Sequence, residues 1–204
     1  MQTAALPLGF FLITLTLYTY IDTVILFIMR TEAETGWYAA SYRVYEGLMY
    51  APSAFATVLT PRFSQLAVGN PKGLRTLFHR SLLGSALSAL VISAAAVWLA
   101  RPMMMLFYGA AYEPAVAPLQ VLAGGCLFVF CTWILHSAAI SLHLDRRLVG
   151  TTAIGLIANI VLNVLFIPRY GITGSAWATV IAEALTVTLL FTQVQRRLAA
   201  GPDA

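Results

Sequence analysis

Charge is scarce in this chain of 204 residues: Asp, Glu, Lys and Arg together make up 10% of it, against 60% hydrophobic residues. Water-soluble domains carry about a quarter charged residues, so a globular fold solvated on all sides is excluded, and the mean hydropathy of +0.82 points to lipid as the solvent. Cysteine is also rare. Cys126 and Cys131 stand five apart inside one apolar run, which fits neither a disulfide framework nor a thiolate metal site, and both read as small packing residues. There is no glycine-rich phosphate loop and no polar stretch long enough for a soluble domain, so no nucleotide, metal or other cofactor is expected. Any energy source is then an ion gradient or the substrate itself. The first apolar run lacks a basic leader and a cleavage-like site ahead of a soluble portion, and reads as a permanent helix rather than a signal peptide.

What is present is six apolar stretches. A helix needs about 20 mostly apolar residues to cross the hydrocarbon core, because every backbone N–H and C=O must there be satisfied within the segment. Spans are expected at about Leu6 to Met29, Trp37 to Thr60, Ser81 to Ala100, Ala117 to Leu142, Val149 to Ile167 and Ile172 to Val194. The fold class is therefore all-α, a single six-helix polytopic bundle spanning residues 1–204. Arg62, Lys72, Arg75, Arg80, Arg146, Arg147, Arg196 and Arg197 fall on one side of these spans, and only Arg30, Arg101 and Arg169 on the other. The positive-inside bias places both termini in the cytoplasm. It also accounts for the net charge of +4 without a nucleic-acid partner, which would need basic residues gathered on a soluble face.

Ionisable groups inside a span cost about 3 kcal/mol each at the helix centre and mark functional sites by default. Here they are Asp22, Arg43, Glu46 and Glu183, with Asn159, Asn163 and His136 as uncharged companions. Topology puts Asp22 and Arg43 at nearly the same depth in an antiparallel hairpin, with Glu46 at i+3 from Arg43, so a three-member charge cluster is expected. It reads either as an ion pair locking the hairpin or as a cavity group in which Arg43 attracts an anion while Asp22 or Glu46 holds it in position or takes a coupling cation. His136 and His143 are the weaker candidates. Residues Pro61 to Arg80, with Leu66, Leu74, Leu77 and Phe78 among four basic residues, read as an amphipathic segment on the cytoplasmic surface. Arg101 to Gly109 reads as an outer interfacial segment, with Tyr108 and Tyr112 at headgroup level.

The stretch Asn159 to Leu185 reads as a helical hairpin. Asn159 and Asn163 share a face at i and i+4 and seek partners on a neighbouring helix, with Glu183 expected at a similar depth to Asn159. Pro168 is expected to end the first helix and Gly171 to permit the turn. Gly171 with Ser175, and Gly174 with Ala178, are small-xxx-small pairs that allow the returning helix to approach closely.

The order Asp22, Gly36-Trp-Tyr-Ala-Ala, Arg43, Glu46, Leu59-Thr-Pro-Arg-Phe-Ser-Gln-Leu, Leu106-Phe-Tyr-Gly-Ala-Ala-Tyr and then Asn159 to Glu183 resembles the C-terminal half of the polysaccharide flippases, the O-antigen and lipid-linked oligosaccharide exporters. These belong to the superfamily that also holds multidrug and toxin extrusion transporters and peptidoglycan lipid flippases. The resemblance implies two related bundles around a central cavity that alternates between inward and outward openings. This chain accounts for one, so a missing N-terminal bundle or a second copy is expected as partner, the former because Met1 begins abruptly in apolar sequence. The implied substrate is an oligosaccharide on a polyprenyl diphosphate, moved across a bacterial inner membrane. Arg43, Asn159 and Asn163 would then contact substrate, and Asp22, Glu46 and Glu183 would couple an ion or pair charge. A cation-coupled drug antiporter, a membrane-embedded transferase using His136 or His143, and a structural half-bundle inactive alone are the competing readings.

Overall fold

The computed structural model describes residues 2–200, with side chains from residue 16 onward. Helix α1 spans Gln2–Met29, α2 Glu32–Gly69, α3 Pro71–Tyr108, α4 Val116–Gly124, α5 Cys126–Ser141 and α6 Asp145–Ala200; a short 3₁₀ turn, Ala110–Ala115, joins α3 to α4. The described residues contain no strand. Two features convert these elements into six membrane-crossing limbs, the number expected. Helices α4 and α5 act as one span bent by 46°, and α6 is broken at Gly171, whose φ of 59° and ψ of −141° are not helical.

Each break has a local cause. At the α4–α5 bend a Cβ on Gly125 would lie 2.5 Å from the Val180 side chain, so glycine lets the second limb of α6 press against the bend. At the α6 break a Cβ on Gly174 would lie 2.6 Å from the Phe166 carbonyl oxygen, which is the close approach that the small-residue spacing implies. The position of this break differs from expectation. The helix passes through Pro168 and stops three residues later, because the carbonyls left free by the turn find a donor: the Arg30 guanidinium on α1 bonds the oxygens of Ile167 and Pro168.

The segment from Pro61 to Arg80 also differs. It does not lie on the membrane surface; it extends α2 and α3 as an antiparallel pair. Each helix has 38 residues, about 57 Å at 1.5 Å per residue, nearly twice the ~30 Å hydrocarbon core. Asn70 turns the chain, its side-chain oxygen accepting from Gly73 N–H at 2.9 Å ahead of Pro71 in the first turn of α3. The apolar residues expected to face lipid face the bundle instead. Phe63 and Phe78 meet with their rings tilted at 57° and join Leu74, Leu135, Leu148 and Leu190 in one core, while a second core at the opposite end gathers Leu26, Tyr38, Tyr45, Met104, Leu122 and Ile167. Hydroxyls tie small-residue faces together between the cores: Ser85 donates to the Phe130 carbonyl at 2.9 Å and Ser93 to that of Ala123 at 2.7 Å.

Candidate functional site

Helix α1 buries Tyr18, Asp22 and Leu26 at intervals of four, so one turn of an otherwise apolar face delivers a carboxylate into the bundle. Asp22 is 1% exposed. Its Oδ2 accepts from the Tyr38 hydroxyl of α2 at 2.5 Å and from the Thr179 hydroxyl of α6 at 3.0 Å, and its Oδ1 from the Thr23 N–H at 3.2 Å. One turn before Thr179 a second polar group is fully buried. Ser175 donates to Asn163 Oδ1 at 2.6 Å, and Asn163 Nδ2 bonds both the Asn159 carbonyl, at 2.9 Å, and its side-chain oxygen, at 3.0 Å. Asn159 Nδ2 has no hydrogen-bond partner among the described residues. The arrangement joins α1, α2 and both limbs of α6 through buried oxygens and amides.

Among the described residues no cationic side chain is paired with Asp22. Among the described residues the ion pairs are Arg30–Glu34, Arg43–Glu46 and Arg101–Glu113. The expected Asp22–Arg43–Glu46 cluster therefore does not form: α2 begins at Glu32 rather than Trp37, which carries Arg43 further along the hairpin than expected, and its azimuth also turns it away. Tyr38, Tyr42 and Tyr45 set the buried face of α2; Arg43, five residues past Tyr38, is rotated about 140° from it. Arg43 accordingly points out of the bundle, its side chain 72% exposed, and bonds Glu46 Oε2 at 3.0 Å. It sits on the rim of an open groove of about 520 Å³ between α2 and α3, walled by Val44, Leu48, Met103 and Phe107. Tyr50 and Thr57 continue the exposed polar stripe along α2.

Glu183 lies one turn beyond Thr179 on the same limb. It accepts from the Thr132 hydroxyl of α5 at 3.2 Å, and Tyr18, one turn before Asp22, brings its hydroxyl alongside. Asn159 and Asn163 are both 0% exposed; the Asn163 amide bonds Asn159 and accepts from Ser175, which ties the two limbs of α6 together. His136 is half-buried in α5 and His143 exposed just past its end.

Tyr38, Thr179 and Thr132 were not among the sequence candidates and Ser175 stood there only as a packing residue, although two signals pointed to Tyr38, Ser175 and Thr179. Tyr38, Tyr42 and Tyr45 recur with helical period, and Ser175 and Thr179 repeat the four-residue spacing of Asn159 and Asn163 across the turn.

Comparison with known proteins agrees with this architecture. A family model described as lipid II flippase MurJ matches residues 6–203. The probable low-salt glycan biosynthesis flippase Agl15 of Haloferax volcanii is 25% identical over 173 residues, covering 84% of this chain and 37% of the relative. An outward-facing multidrug resistance MATE family transporter of the MOP superfamily superposes with a TM-score of 0.82 at 18% identity, over 94% of this chain and 44% of that one. A MOP superfamily transporter from Pyrococcus furiosus superposes with a TM-score of 0.76 at 18% identity, over 91% and 42%. The chain thus spans less than half the length of the proteins it matches.

Proposed function

The chain belongs to the lipid II flippase MurJ family, a multi-pass membrane transporter family, and we propose that it forms one six-helix bundle of a flippase that moves polyprenyl-diphosphate-linked oligosaccharide from the cytoplasmic to the outer leaflet by alternating access. The observation that carries this reading is the placement of Arg43. A guanidinium 72% exposed within a span is expensive against lipid, whereas it is at home against an aqueous path shared with a second bundle. The groove beside it is apolar on both walls, which suits a ligand with an anionic head and a prenyl tail. Arg43 engages the diphosphate through charge-assisted hydrogen bonds, and Glu46 orients the guanidinium when substrate is absent. A cationic drug would be repelled at this position, which favours a lipid-linked anion over the antiporter reading.

Asp22 supplies the coupling. A buried carboxylate whose partners are all neutral is uncompensated, and hydroxyl oxygens reach it from two other limbs that a rocking bundle would move relative to it. It takes the coupling cation, and Glu183, four residues along α6 from Thr179, extends the polar path toward the other end of the bundle. The complete transporter contains a second bundle, supplied by a preceding segment or by a partner chain, and resides in a bacterial inner membrane with both termini of this bundle in the cytoplasm. Reconstitution of that two-bundle transporter with fluorescent lipid-linked oligosaccharide tests the reading: translocation that depends on Arg43 supports it, and transport of a cationic dye instead of the sugar lipid overturns it.

A further inference from the structure

The end of the bundle that carries eight of the basic residues holds a cavity of about 280 Å³ that lies apart from Arg43, Asp22 and Glu183. Four separate segments wall it. Ser64 and Val68 come from α2, Leu74 from the first turn of α3, Ser141 and His143 from the end of α5, and Arg197 from the last turn of α6. The two halves of this wall differ chemically. Ser64 donates to the Ser141 hydroxyl at 3.1 Å, and these hydroxyls, with Arg197 and the His143 ring, make a polar side suited to a phosphate. Val68, Leu74 and their neighbours make the other side apolar.

His143 is held there by an unusual backbone. The Leu144 N–H bonds the Ala139 carbonyl at 2.9 Å, closing the end of α5 with His143 in a left-handed conformation at φ 56°. Glycine is the usual residue at such a position, and a residue with a Cβ costs about 1 kcal/mol there. Depth narrows the choice of ligand. The cavity lies where the arms of α2 and α3 leave the apolar stretches, level with the ends of α5 and α6, which is headgroup depth for helices that overrun a ~30 Å core.

We propose that this cavity binds one anionic phospholipid from the adjacent leaflet, with its phosphate against Arg197, His143 and the serine hydroxyls and the beginning of one acyl chain against Val68 and Leu74. Lys72, Arg146 and Arg147, exposed around the same end, draw anionic headgroups to it, as basic pockets between cytoplasmic helix ends do. A soluble phosphate gains nothing from the apolar wall, and a zwitterionic lipid gains less from the arginine. The bound lipid bridges four segments, so it stiffens the end of the bundle on which the α2–α3 arm pivots. This inference does not depend on the transport reading.

The test is a thermal-unfolding titration of the full chain in nonionic detergent with short-chain phosphatidylglycerol, short-chain phosphatidylcholine and inorganic phosphate. Phosphatidylglycerol raises the midpoint in a saturable way and the other two do not. Arg197→Gln removes the phosphate contact and raises the half-saturating concentration about five-fold. Ala67→Phe, which fills the apolar half while keeping every charge, raises it at least as much. Arg75→Gln, outside the cavity, changes it less than about two-fold. The two cavity variants probe opposite walls, so a folding failure in one leaves the other to decide. Equal stabilisation by phosphatidylcholine or by inorganic phosphate overturns the proposal, as does a saturation curve that Ala67→Phe leaves unchanged while Arg75→Gln shifts it as far as Arg197→Gln.

Discussion

Tyr38 on α2 donates its hydroxyl to Asp22 on α1 across 2.5 Å, and Thr179 on α6 reaches the same carboxylate oxygen at 3.0 Å, with the two hydroxyls 3.4 Å apart. Three helices thus meet on one buried carboxylate. A hydrogen bond to a charged, buried acceptor contributes about 1.5–3 kcal/mol, so Tyr38→Phe should destabilise the chain by that amount in urea unfolding in detergent. Tyr42→Phe, on the same buried face but outside the contact with Asp22, serves as the control and should shift stability by about 0.5 kcal/mol or less. Equal losses in the two variants would show that the Asp22 contact contributes nothing special.

Asp22 and Arg43 should behave independently. Asp22 meets α2 at Tyr38, five residues before Arg43, and the ion pair of Arg43 is with Glu46. Changes at separated sites add within about 0.5 kcal/mol, so Asp22→Asn and Arg43→Gln combined should cost the sum of the two single changes. A coupling energy of about 2 kcal/mol or more in that cycle would restore the hairpin ion pair.

The broken helix α6 offers a steric test. Gly174→Ala puts a methyl group into the Phe166 carbonyl and should lower stability by about 1–3 kcal/mol, the usual cost of overpacking. Gly84→Ala, where a Cβ meets nothing within 4 Å, should be neutral or stabilising by up to about 1 kcal/mol. Matching thermal shifts for both would mean that the two limbs of α6 do not pack as closely as described.

Orientation is checked by chemical labelling. Cysteines introduced at Ala33 and Ala111 should react with an impermeant maleimide added outside cells, and one at Lys72 should react only after permeabilisation; all three positions are exposed. The opposite pattern would reverse the assignment made from the basic residues.

The helices were legible in the sequence because the bilayer fixes how long an apolar run must be, and Asp22 stood out because a carboxylate there has a cost that demands a reason. Its partners were not legible. Thr179 is 157 residues away, and it reaches Asp22 only because α6 folds back at Gly171. Counting residues along a hairpin leaves the azimuth open and depends on where each helix starts, and that is why Arg43 was matched to Asp22 when α2 begins at Glu32 and turns it the other way. The polar segment around Asn70 was read as surface because hydropathy falls there. Its N-cap and Pro71 were the local sign that one helix ends and another starts at once, and only the apolar cores beneath Phe63 and Phe78 explain why both helices continue through it.

The most direct measurement of the central claim is translocation of lipid-linked oligosaccharide by the complete two-bundle transporter carrying changes at Arg43. Arg43→Lys keeps a cation and should retain part of the wild-type rate. Arg43→Ala should lower the rate at least about 100-fold, the scale expected when a charge-assisted contact to a phosphate is lost, with the amount of folded protein in the membrane unchanged because the side chain is exposed. Wild-type export by Arg43→Ala at equal protein level would contradict the account.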